Sequence, residues 1–512
     1  MSLLLAALLA AAPAPGGAFV VTAPEGPAGE SAWVAQAVAD TLPRALARLG
    51  VDAVSRTDRL RAQEALGIPA SAPTSRASSI RVGEALRAAR LVVGRYERRG
   101  AEVVLSLSLL DLERAALSAP LIGSGPPEAL PSLIHALAWD VALTAPRPPE
   151  GSREAFVRSA GAVPFEAFRH HAESLAVADP EVRRKLLQRA LAAAPDYDEA
   201  RVALGRVLLE TRELPAAEEA LGRVDAGSPL AREARFLRGV ALLQLGRYRE
   251  AEELYRALAA EDATPAALNN RALAALRLGL GSLRASALLR EAVEKDPGAP
   301  DLPFNLGWAL LVEGDAEASA FWLGGVVRRE GRDNHARLVL SWALGGAGRA
   351  EEADAEFQAL SAVSSSYQSL RVPDLKRRFE RIQPSERLVV LDGGGRSDAE
   401  MAATHVARAD RLAGEGDLEG ARAELTRAAY LDPYGALVHR QLARLHRRQG
   451  DAGKAVLELR MSLWCRDDPG TRLELAGLLR EAGRTAEARA EARRVLEADP
   501  DNEEARRIAG GS

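Results

Sequence analysis

The sequence is poor in cysteine and has no excess of basic residues, and each feature excludes a class of protein. Cys465 is the only cysteine among 512 residues, which excludes an intrachain disulfide and any metal site built from several cysteines. The chain carries 67 basic and 71 acidic side chains, so its formal net charge is −4. Bulk binding of nucleic acid relies on a clear excess of Lys and Arg. The charge balance therefore argues against nucleic acid as the partner.

Aromatic residues are also scarce, at 4%, although apolar residues make up 47% of the chain. The apolar excess is Ala and Leu, which favours a core of small and medium side chains between closely packed helices. Only four of the 67 basic residues are lysine, and we interpret the resulting excess of arginine as the coding bias of a GC-rich genome. At about 100–200 residues per domain, the length allows roughly three domains or one long array.

The amino terminus, residues 1–17, resembles a secretory signal. Leu3 to Ala12 is an unbroken run of Leu and Ala, followed by Pro13 and small residues. The run is too short for a membrane span, which needs about 20 residues, and fits a signal peptide better, although no basic residue precedes it. We therefore predict export, to the periplasm or otherwise, with a cytoplasmic protein as the alternative. No other stretch of the sequence approaches a membrane span.

Residues 18–145 show mixed strand and helix patterns that predict a small α/β domain. Strands are predicted from β-type runs, and helices from apolar residues that recur at spacings of three and four after a cap such as Ser31. The predicted strands are 18–22, 51–54, 91–96, 102–112 and 116–122, and the predicted helices are 31–49, 57–66, 79–89 and 127–143.

This order resembles the amino-terminal α/β domain of the TolB family. The matching stretches are the strand Phe19-Val-Val-Thr, the helix end Leu46-Ala-Arg-Leu-Gly-Val51, and Glu84 to Tyr96. The segment Val103 to Asp111 is similar to the second hairpin strand of that domain. The resemblance implies a non-enzymatic periplasmic domain that acts by contact with other proteins.

Beyond Pro164 the sequence repeats with a period of 34 residues. Small residues recur at one position, and a larger residue follows four positions later. Glycines recur between the two halves of each unit. The small residues are Ala217, Ala251, Ala285, Ser319, Ala353, Ala421, Ala455 and Ala488; the glycines are Gly246, Gly314, Gly348, Gly416, Gly450 and Gly483.

The pattern resembles the tetratricopeptide repeat (TPR), a helix–turn–helix unit in which small residues let the helices cross closely. Stacking of such units buries the apolar face that one unit leaves exposed. The predicted fold class is α+β, a small α/β domain followed by an all-α superhelix in two blocks. The predicted segments after residue 145 are a linker at 146–163, about six units at 164–360 with a degenerate first unit, a linker or degenerate unit at 361–400, and three units at 401–509. Within 361–400, one helix from Pro373 to Ile382 is an open alternative.

No arrangement of residues indicates catalysis, a cofactor or a metal. His405 and His439 lie one period apart at a position where packing is expected, and the pair His170-His171 is predicted at the surface. Cys465 is predicted to be a half-buried structural thiol. Phosphate-loop, nucleophile-elbow and kinase motifs are not found. The chain is therefore predicted not to be an enzyme.

The remaining candidate site is the concave groove of the repeats. The TPR resemblance implies that positions 2, 5, 9, 12 and 13 of each unit line that groove. The candidate groove residues at those positions are Arg206, Phe236, Asn270, Arg277, Phe304, Trp308 and Trp342. Aromatic residues and arginine are the types that carry interface energy. We hypothesise that Phe304, Trp308 and Trp342 form an apolar floor for an extended or helical peptide; the alternative is that the Trp rings pack on each other.

The sequence thus favours a scaffold or adaptor that binds a protein or peptide partner in the groove, with the first domain docking a second partner. One alternative is a ligand-sensing regulatory adaptor with a polar pocket near the Pro24–Gly29 loop. The other is a non-catalytic subunit of an envelope enzyme or secretion complex. The sequence names neither the partner nor the oligomeric state.

Overall fold

The structure is a computed structural model of the chain. It describes residues 18–27, 32–69, 75–159, 162–279, 285–386 and 398–510. The predicted signal-like segment 1–17 and the predicted cap Ser31 lie outside these residues. The chain divides into two compact units: unit 1 takes Met1–Gly279 and Ile382–Asp392, and unit 2 takes Leu280–Arg381 and Gly393–Ser512.

Unit 1 begins with a mixed sheet. Its strands are β1 (Ala18–Val21), β2 (Ala88–Arg99), β3 (Glu102–Asp111), β4 (Ala116–Leu117) and β5 (Leu121–Gly125). β1 pairs in parallel with β2, β2 pairs antiparallel with β3, and both β4 and β5 pair antiparallel with β3. The predicted single strand 116–122 is interrupted at Pro120, which has no N–H to donate to a neighbouring strand.

Helices cover both faces of the sheet. They are α1 (Ala32–Arg48), α2 (Arg56–Ala65), α3 (Arg76–Ala85) and α4 (Leu130–Ala142). Alternation along β1 explains the two cores, because successive strand residues face opposite sides. Phe19 and Val21 share one core with α1 and α4, whereas Ala18 and Val20 share another with α2 and α3.

The predicted strand 51–54 is wrong. Only Ala53 forms a bridge to Phe19, flanked by two hydrogen bonds: the Phe19 N–H donates to the Asp52 carbonyl, and the Val54 N–H donates to the Phe19 carbonyl. The segment therefore runs beside β1 for a single residue pair, too short for a strand.

The α-helices described after residue 145 form the helical part of the chain. In unit 1 these helices are α5 (Arg153–Ser159), α6 (Phe165–Leu175), α7 (Pro180–Ala193), α8 (Asp198–Glu210), α9 (Leu214–Gly222), α10 (Ala231–Leu245), α11 (Tyr248–Glu261) and α12 (Pro265–Leu278). In unit 2 they are α13 (Ala285–Lys295), α14 (Asp301–Val312), α15 (Ala316–Arg329), α16 (Asn334–Gly346), α17 (Ala350–Val363), α18 (Asp398–Glu415), α19 (Leu418–Leu431), α20 (Ala436–Arg448), α21 (Ala452–Cys465), α22 (Pro469–Glu481), α23 (Thr485–Ala498) and α24 (Glu503–Gly510).

The 34-residue period acts at the helix crossings. A Cβ atom placed on Gly307 of α14 would lie 2.6 Å from Leu323 Cγ of α15, so the two backbones approach as closely as glycine allows. The six glycines predicted between the helices of a unit all have positive φ, from 77° to 90°. A small sheet domain followed by an all-helical repeat solenoid confirms the predicted fold class.

Two connecting stretches differ from simple linkers. The stretch 146–163 contains α5, whose Phe156 packs against the rings of His135 and Trp139. Residues 365–370 form a short 3-10 helix. The alternative helix from Pro373 to Ile382 is wrong, since these residues form no α-helix. Residues 387–397 lie outside the described part.

Within unit 2, the helices before and after residues 361–400 pack directly on each other. The ring of Trp322 on α15 stacks on Tyr434, with centroids 4.2 Å apart, and the Tyr434 hydroxyl donates to the Trp322 carbonyl at 2.7 Å. Phe321 contacts Trp464 of α21. The two blocks of repeats in unit 2 therefore share an aromatic core. None of the described helices is long and apolar enough to cross a membrane.

Candidate functional site

A buried asparagine of unit 2 holds the backbone of another part of the chain. The Asn305 amide on α14 donates to the Arg381 carbonyl at 2.8 Å, and its oxygen accepts from the Arg381 N–H at 2.9 Å. Both backbone groups of one residue point to the same side only when the backbone is extended. Asn305 therefore binds an extended backbone, and its two hydrogen bonds do not depend on which side chain the bound residue carries.

The same helix face supplies the neighbouring contacts, because residues four and three apart lie on one side of a helix. Asp301, Asn305 and Trp308 of α14 have this spacing, and His335 and Trp342 of α16 lie seven apart.

Aromatic rings of α14 and α16 surround Phe379. Ring centroids lie 5.3 Å from Trp308, 5.7 Å from Trp342 and 5.6 Å from His335, in edge-to-face arrangements. Trp342 also donates its indole N–H to the Leu370 carbonyl at 2.9 Å. Edge-to-face pairs add about 0.5–1.5 kcal/mol each beyond the area they bury. Phe379 is thus held in an aromatic pocket formed by two adjacent repeats.

The Arg381 side chain is held by two carboxylates and a ring. Its guanidinium donates to Asp301 at 3.1 Å and to Asp333, and lies 3.8 Å from the centroid of Phe304. Asp333 also caps α16, because its other oxygen accepts from the Ala336 N–H at 3.0 Å. Lysine also makes charge-assisted hydrogen bonds, but a planar group that donates to two carboxylates and covers a ring is the geometry of arginine.

In unit 1, a second asparagine holds the backbone of a second residue in the same way. The Asn270 amide on α12 donates to the Gln383 carbonyl at 2.9 Å and accepts from the Gln383 N–H at 2.8 Å. The amide is oriented by the Tyr255 hydroxyl, to which it donates at 3.0 Å, while Tyr255 donates to the Phe236 carbonyl. Ile382 packs against the apolar cluster that contains Phe236 and Tyr255. Burial raises the pKa of Tyr255, so its hydroxyl stays a donor.

Side chains of unit 1 also hold the residues that follow. Glu386 accepts from Arg232 at 2.7 and 3.0 Å and from Thr264 at 3.2 Å. The Ser385 hydroxyl donates to Asp58 at 2.6 Å, and Arg61 donates to the Pro384 carbonyl at 3.0 Å. We call residues 379–386 the resident segment; its part 379–381 belongs to unit 2 and its part 382–386 to unit 1.

The candidate groove residues have different surroundings. Phe304, Trp308 and Trp342 contact the resident segment in unit 2. Asn270 contacts it in unit 1, where Phe236 belongs to the apolar cluster against which Ile382 packs. Arg206 of α8 pairs with Glu233, and Arg277 is half-buried in the last turn of α12. The rings of Trp308 and Trp342, predicted to form a floor for a peptide or to pack on each other, both contact Phe379 of the same chain.

Sequence reasoning missed four residues of this site. Asp301 and His335 occupy position 2 of their units. Position 2 is one of the predicted groove positions, so the repeat pattern could have identified both residues. Asn305 lies at position 6, outside the groove positions, and Asp333 precedes its unit. Nothing in the repeat pattern marks 379–386 as an occupant.

Unit 1 also contains a cavity of about 660 Å³ with charged walls. Ion pairs join many of the charged groups, and Arg56 donates to the neutral acceptors Gln36 and Leu175. The paired groups in the wall are Arg44 with Asp40, Arg183 with Glu210, and Arg206 with Glu233. The described residues of the Pro24–Gly29 loop do not line this cavity.

The prediction of His170-His171 as a surface pair is wrong for His171. His171 is buried between α6 and α1, its Nδ1 lies 3.1 Å from the Tyr197 hydroxyl, and its Nε2 lies 3.9 Å from Asp40. Burial lowers the pKa of His171 to about 4, against the opposing attraction of Asp40. His171 is therefore neutral in the folded chain at pH 7.

The other histidines and the cysteine have packing surroundings. His405 and His439 each place Nδ1 beside a glutamate nineteen residues later, at 2.6 Å from Glu424 and 2.7 Å from Glu458. Cys465 is buried, not half-buried as predicted, because its side chain packs into the core. Burial raises the pKa of its thiol well above the ordinary value and suppresses its reactivity. Among the described residues, no group of three or more side chains is arranged to hold a metal.

Sequence models of one family match the middle of the chain. Two tetratricopeptide repeat models match residues 184–232 in one case and 214–267 and 236–300 in the other. These residues are tetratricopeptide repeats. The matched TPR region includes α8 to α12 and ends next to α14, so Asn270 lies within it. None of the curated proteins matches this chain in sequence.

Solved TPR structures resemble the chain only loosely. YrrB, a TPR protein with an unusual peptide-binding site, is 15% identical over 36% of this chain and 95% of its own, with a TM-score of 0.31. PilF of Pseudomonas aeruginosa is 17% identical over 38% and 89%, with a TM-score of 0.33. A TPR protein of Parabacteroides merdae is 15% identical over 55% and 98%, with a TM-score of 0.29.

Proposed function

We propose that the chain is a non-catalytic scaffold that binds an extended peptide segment of a partner protein on its concave TPR helices. One observation carries the proposal: Asn305 in unit 2 and Asn270 in unit 1 each make two hydrogen bonds to the backbone of a single residue. TPR proteins generally mediate protein–protein interactions, which agrees with this use of the fold.

We call each of these asparagines, with its two hydrogen bonds to the backbone of one residue, a clamp. The burial of both clamps favours peptide recognition. Both asparagines are fully buried in the presence of the resident segment. A buried amide that loses its partners costs about 1–3 kcal/mol, so an emptied clamp demands another extended backbone or water. Each clamp fixes the direction and register of a peptide, while the side-chain pockets beside it select the sequence.

Binding to peptides of random sequence tests this function. The full-length double variant Phe379→Ala/Arg381→Ala removes the side chains that anchor the resident segment in unit 2, and is probed on an array of random 12-residue peptides. We expect binding to many peptides, and a loss of about tenfold or more for most of them when Asn305→Ala is added. Circular dichroism confirms that each variant is folded. Binding that is absent, or insensitive to Asn305→Ala, would contradict the proposal.

Two further proposals rest on the sequence alone. The first domain, with its resemblance to the TolB amino-terminal domain, would dock a second partner, and the signal-like segment would direct export. Fractionation of the native host with mass spectrometry of the amino terminus tests export, and a cytoplasmic protein with an intact residue 1–17 segment would contradict it.

A further inference from the structure

We propose that the partner peptide recognised by unit 2 carries an aromatic residue followed two positions later by arginine, and that Phe379-Glu-Arg381 is a built-in copy of that motif. This inference rests on the proposed function and adds the sequence that the site selects. The first step is the arginine pocket, which is assembled from three residues of different origin: Asp301 in the first turn of α14, Phe304 one turn later, and Asp333 at the cap of α16.

The pocket matches arginine in charge and in shape. Two carboxylates face one guanidinium, so the pocket without its occupant holds two negative charges close together. The face of Phe304, 3.8 Å from the guanidinium carbon, adds a flat surface that the planar guanidinium covers and a compact ammonium does not. The pocket is therefore expected to prefer arginine over lysine as well as over neutral residues.

The aromatic pocket stands at a fixed distance along the peptide. The Asn305 clamp sets the register at Arg381, and the rings of Trp308, Trp342 and His335 then meet the side chain two residues earlier. Side chains two apart on an extended backbone lie on the same side, so both pockets read one face of the peptide. The motif length follows from this geometry.

The resident motif competes with a partner. It belongs to the same chain, so its effective concentration at the pocket is of the order of millimolar for a short connection. A partner with the same chemistry must displace it. The apparent affinity of the partner is then its intrinsic affinity multiplied by the fraction of sites that the resident motif leaves open. The chain is thus held closed until a partner peptide of sufficient affinity or concentration is present.

Fluorescence anisotropy with a labelled peptide tests the motif. The probe is a synthetic peptide with the sequence of residues 374–386, and its variants carry Ala or Lys at the Arg381 position or Ala at the Phe379 position. A scrambled peptide of identical composition controls for charge. The proteins are the full-length wild type and the opened variant Phe379→Ala/Arg381→Ala.

We expect the opened variant to bind the probe at least about tenfold more tightly than the wild type does. Peptides with Ala or Lys in place of arginine, Ala in place of the phenylalanine, or a scrambled order should bind about tenfold or more weakly than the probe.

A protein-side substitution checks the pocket independently. Asp333→Asn in the opened variant removes the charge but keeps the helix cap, because Asn caps as well as Asp. It should weaken probe binding about tenfold and reduce the preference for arginine over alanine, while Asp301 and Phe304 keep part of it. Asp315→Asn is the matched control, since Asp315 caps α15 in the same way by accepting from the Ala318 N–H. That change should leave probe binding unaltered.

The outcomes separate this inference from the proposed function. If the opened variant binds the probe, the alanine peptides and the scrambled peptide equally, the motif is wrong and peptide recognition stands. If the opened variant binds no peptide, both are wrong. Should Asp333→Asn fail to fold, the peptide-side substitutions alone decide the question.

Discussion

Single buried side chains decide what each part of the molecule can do. Asn270 and Asn305 have no exposed surface, and their amides are completed by backbone groups of the resident segment. The position of Asn270 in the repeat predicts that it is a groove residue. Its partner Gln383 was not predicted, because hydrogen bonding to backbone leaves no pattern in the sequence of the bound residue.

His171 gives a prediction on pH. Its pKa is about 4 in the folded chain against an ordinary value of 6.5, so between these values the unfolded chain binds more protons and stability falls as the pH falls. We expect this group to cost about 2 kcal/mol of stability at pH 5 relative to pH 7.5. Urea unfolding followed by circular dichroism at both pH values measures the cost.

Two variants isolate the contribution of this histidine. His171→Gln should lose about 2 kcal/mol of the difference in unfolding free energy between pH 5 and pH 7.5, whereas His170→Gln, one residue away and half-exposed, should keep the wild-type difference. An identical pH dependence in His171→Gln and the wild type would show that folding does not shift the pKa of His171. Its burial was missed because neighbouring polar residues on a helix look like a solvent face when their tertiary contacts are unknown.

Pairs of helices are the elements that the sequence predicts best. The period of 34 residues reports a steric requirement that returns in every unit, so small residues at the crossings were visible without any structure. The resident segment was not predictable in this way. The contacts described for it reach from Trp342, 37 positions before Phe379, to Asp58, 327 positions before Ser385, and its own sequence lacks the periodicity of a helix or a strand.

The crossing glycine gives a prediction at the scale of a helix pair. Gly307→Ala should destabilise unit 2 by about 1–3 kcal/mol, because the new methyl group would overlap Leu323. Gly477→Ala is the matched control within α22, where a Cβ meets nothing within 4 Å. It should stabilise the helix by about 0.5–1 kcal/mol, since alanine loses less backbone entropy. Chemical unfolding measures both, and a Gly307→Ala variant as stable as the wild type would contradict the packing account.

At the scale of the whole molecule, the stretch between the two repeat blocks has a role beyond connecting them. The length of 361–400 and its poor fit to the repeat were visible in the sequence, and they predicted a linker or a degenerate unit. The described residues 379–386 instead make ordered contacts within each unit. A connecting stretch with the chemistry of a bound peptide ties the accessibility of the groove to the chain itself.

Amide hydrogen exchange of the resident segment tests the central claim most directly. The N–H groups of Arg381 and Gln383 each donate to a buried asparagine, so in the full-length wild-type chain they should exchange at least about tenfold more slowly than in a free peptide of the same sequence. Asn305→Ala should abolish the protection of Arg381. Exchange of both amides at the free-peptide rate in the wild-type chain would show that Asn305 and Asn270 do not hold this segment, and would contradict the account.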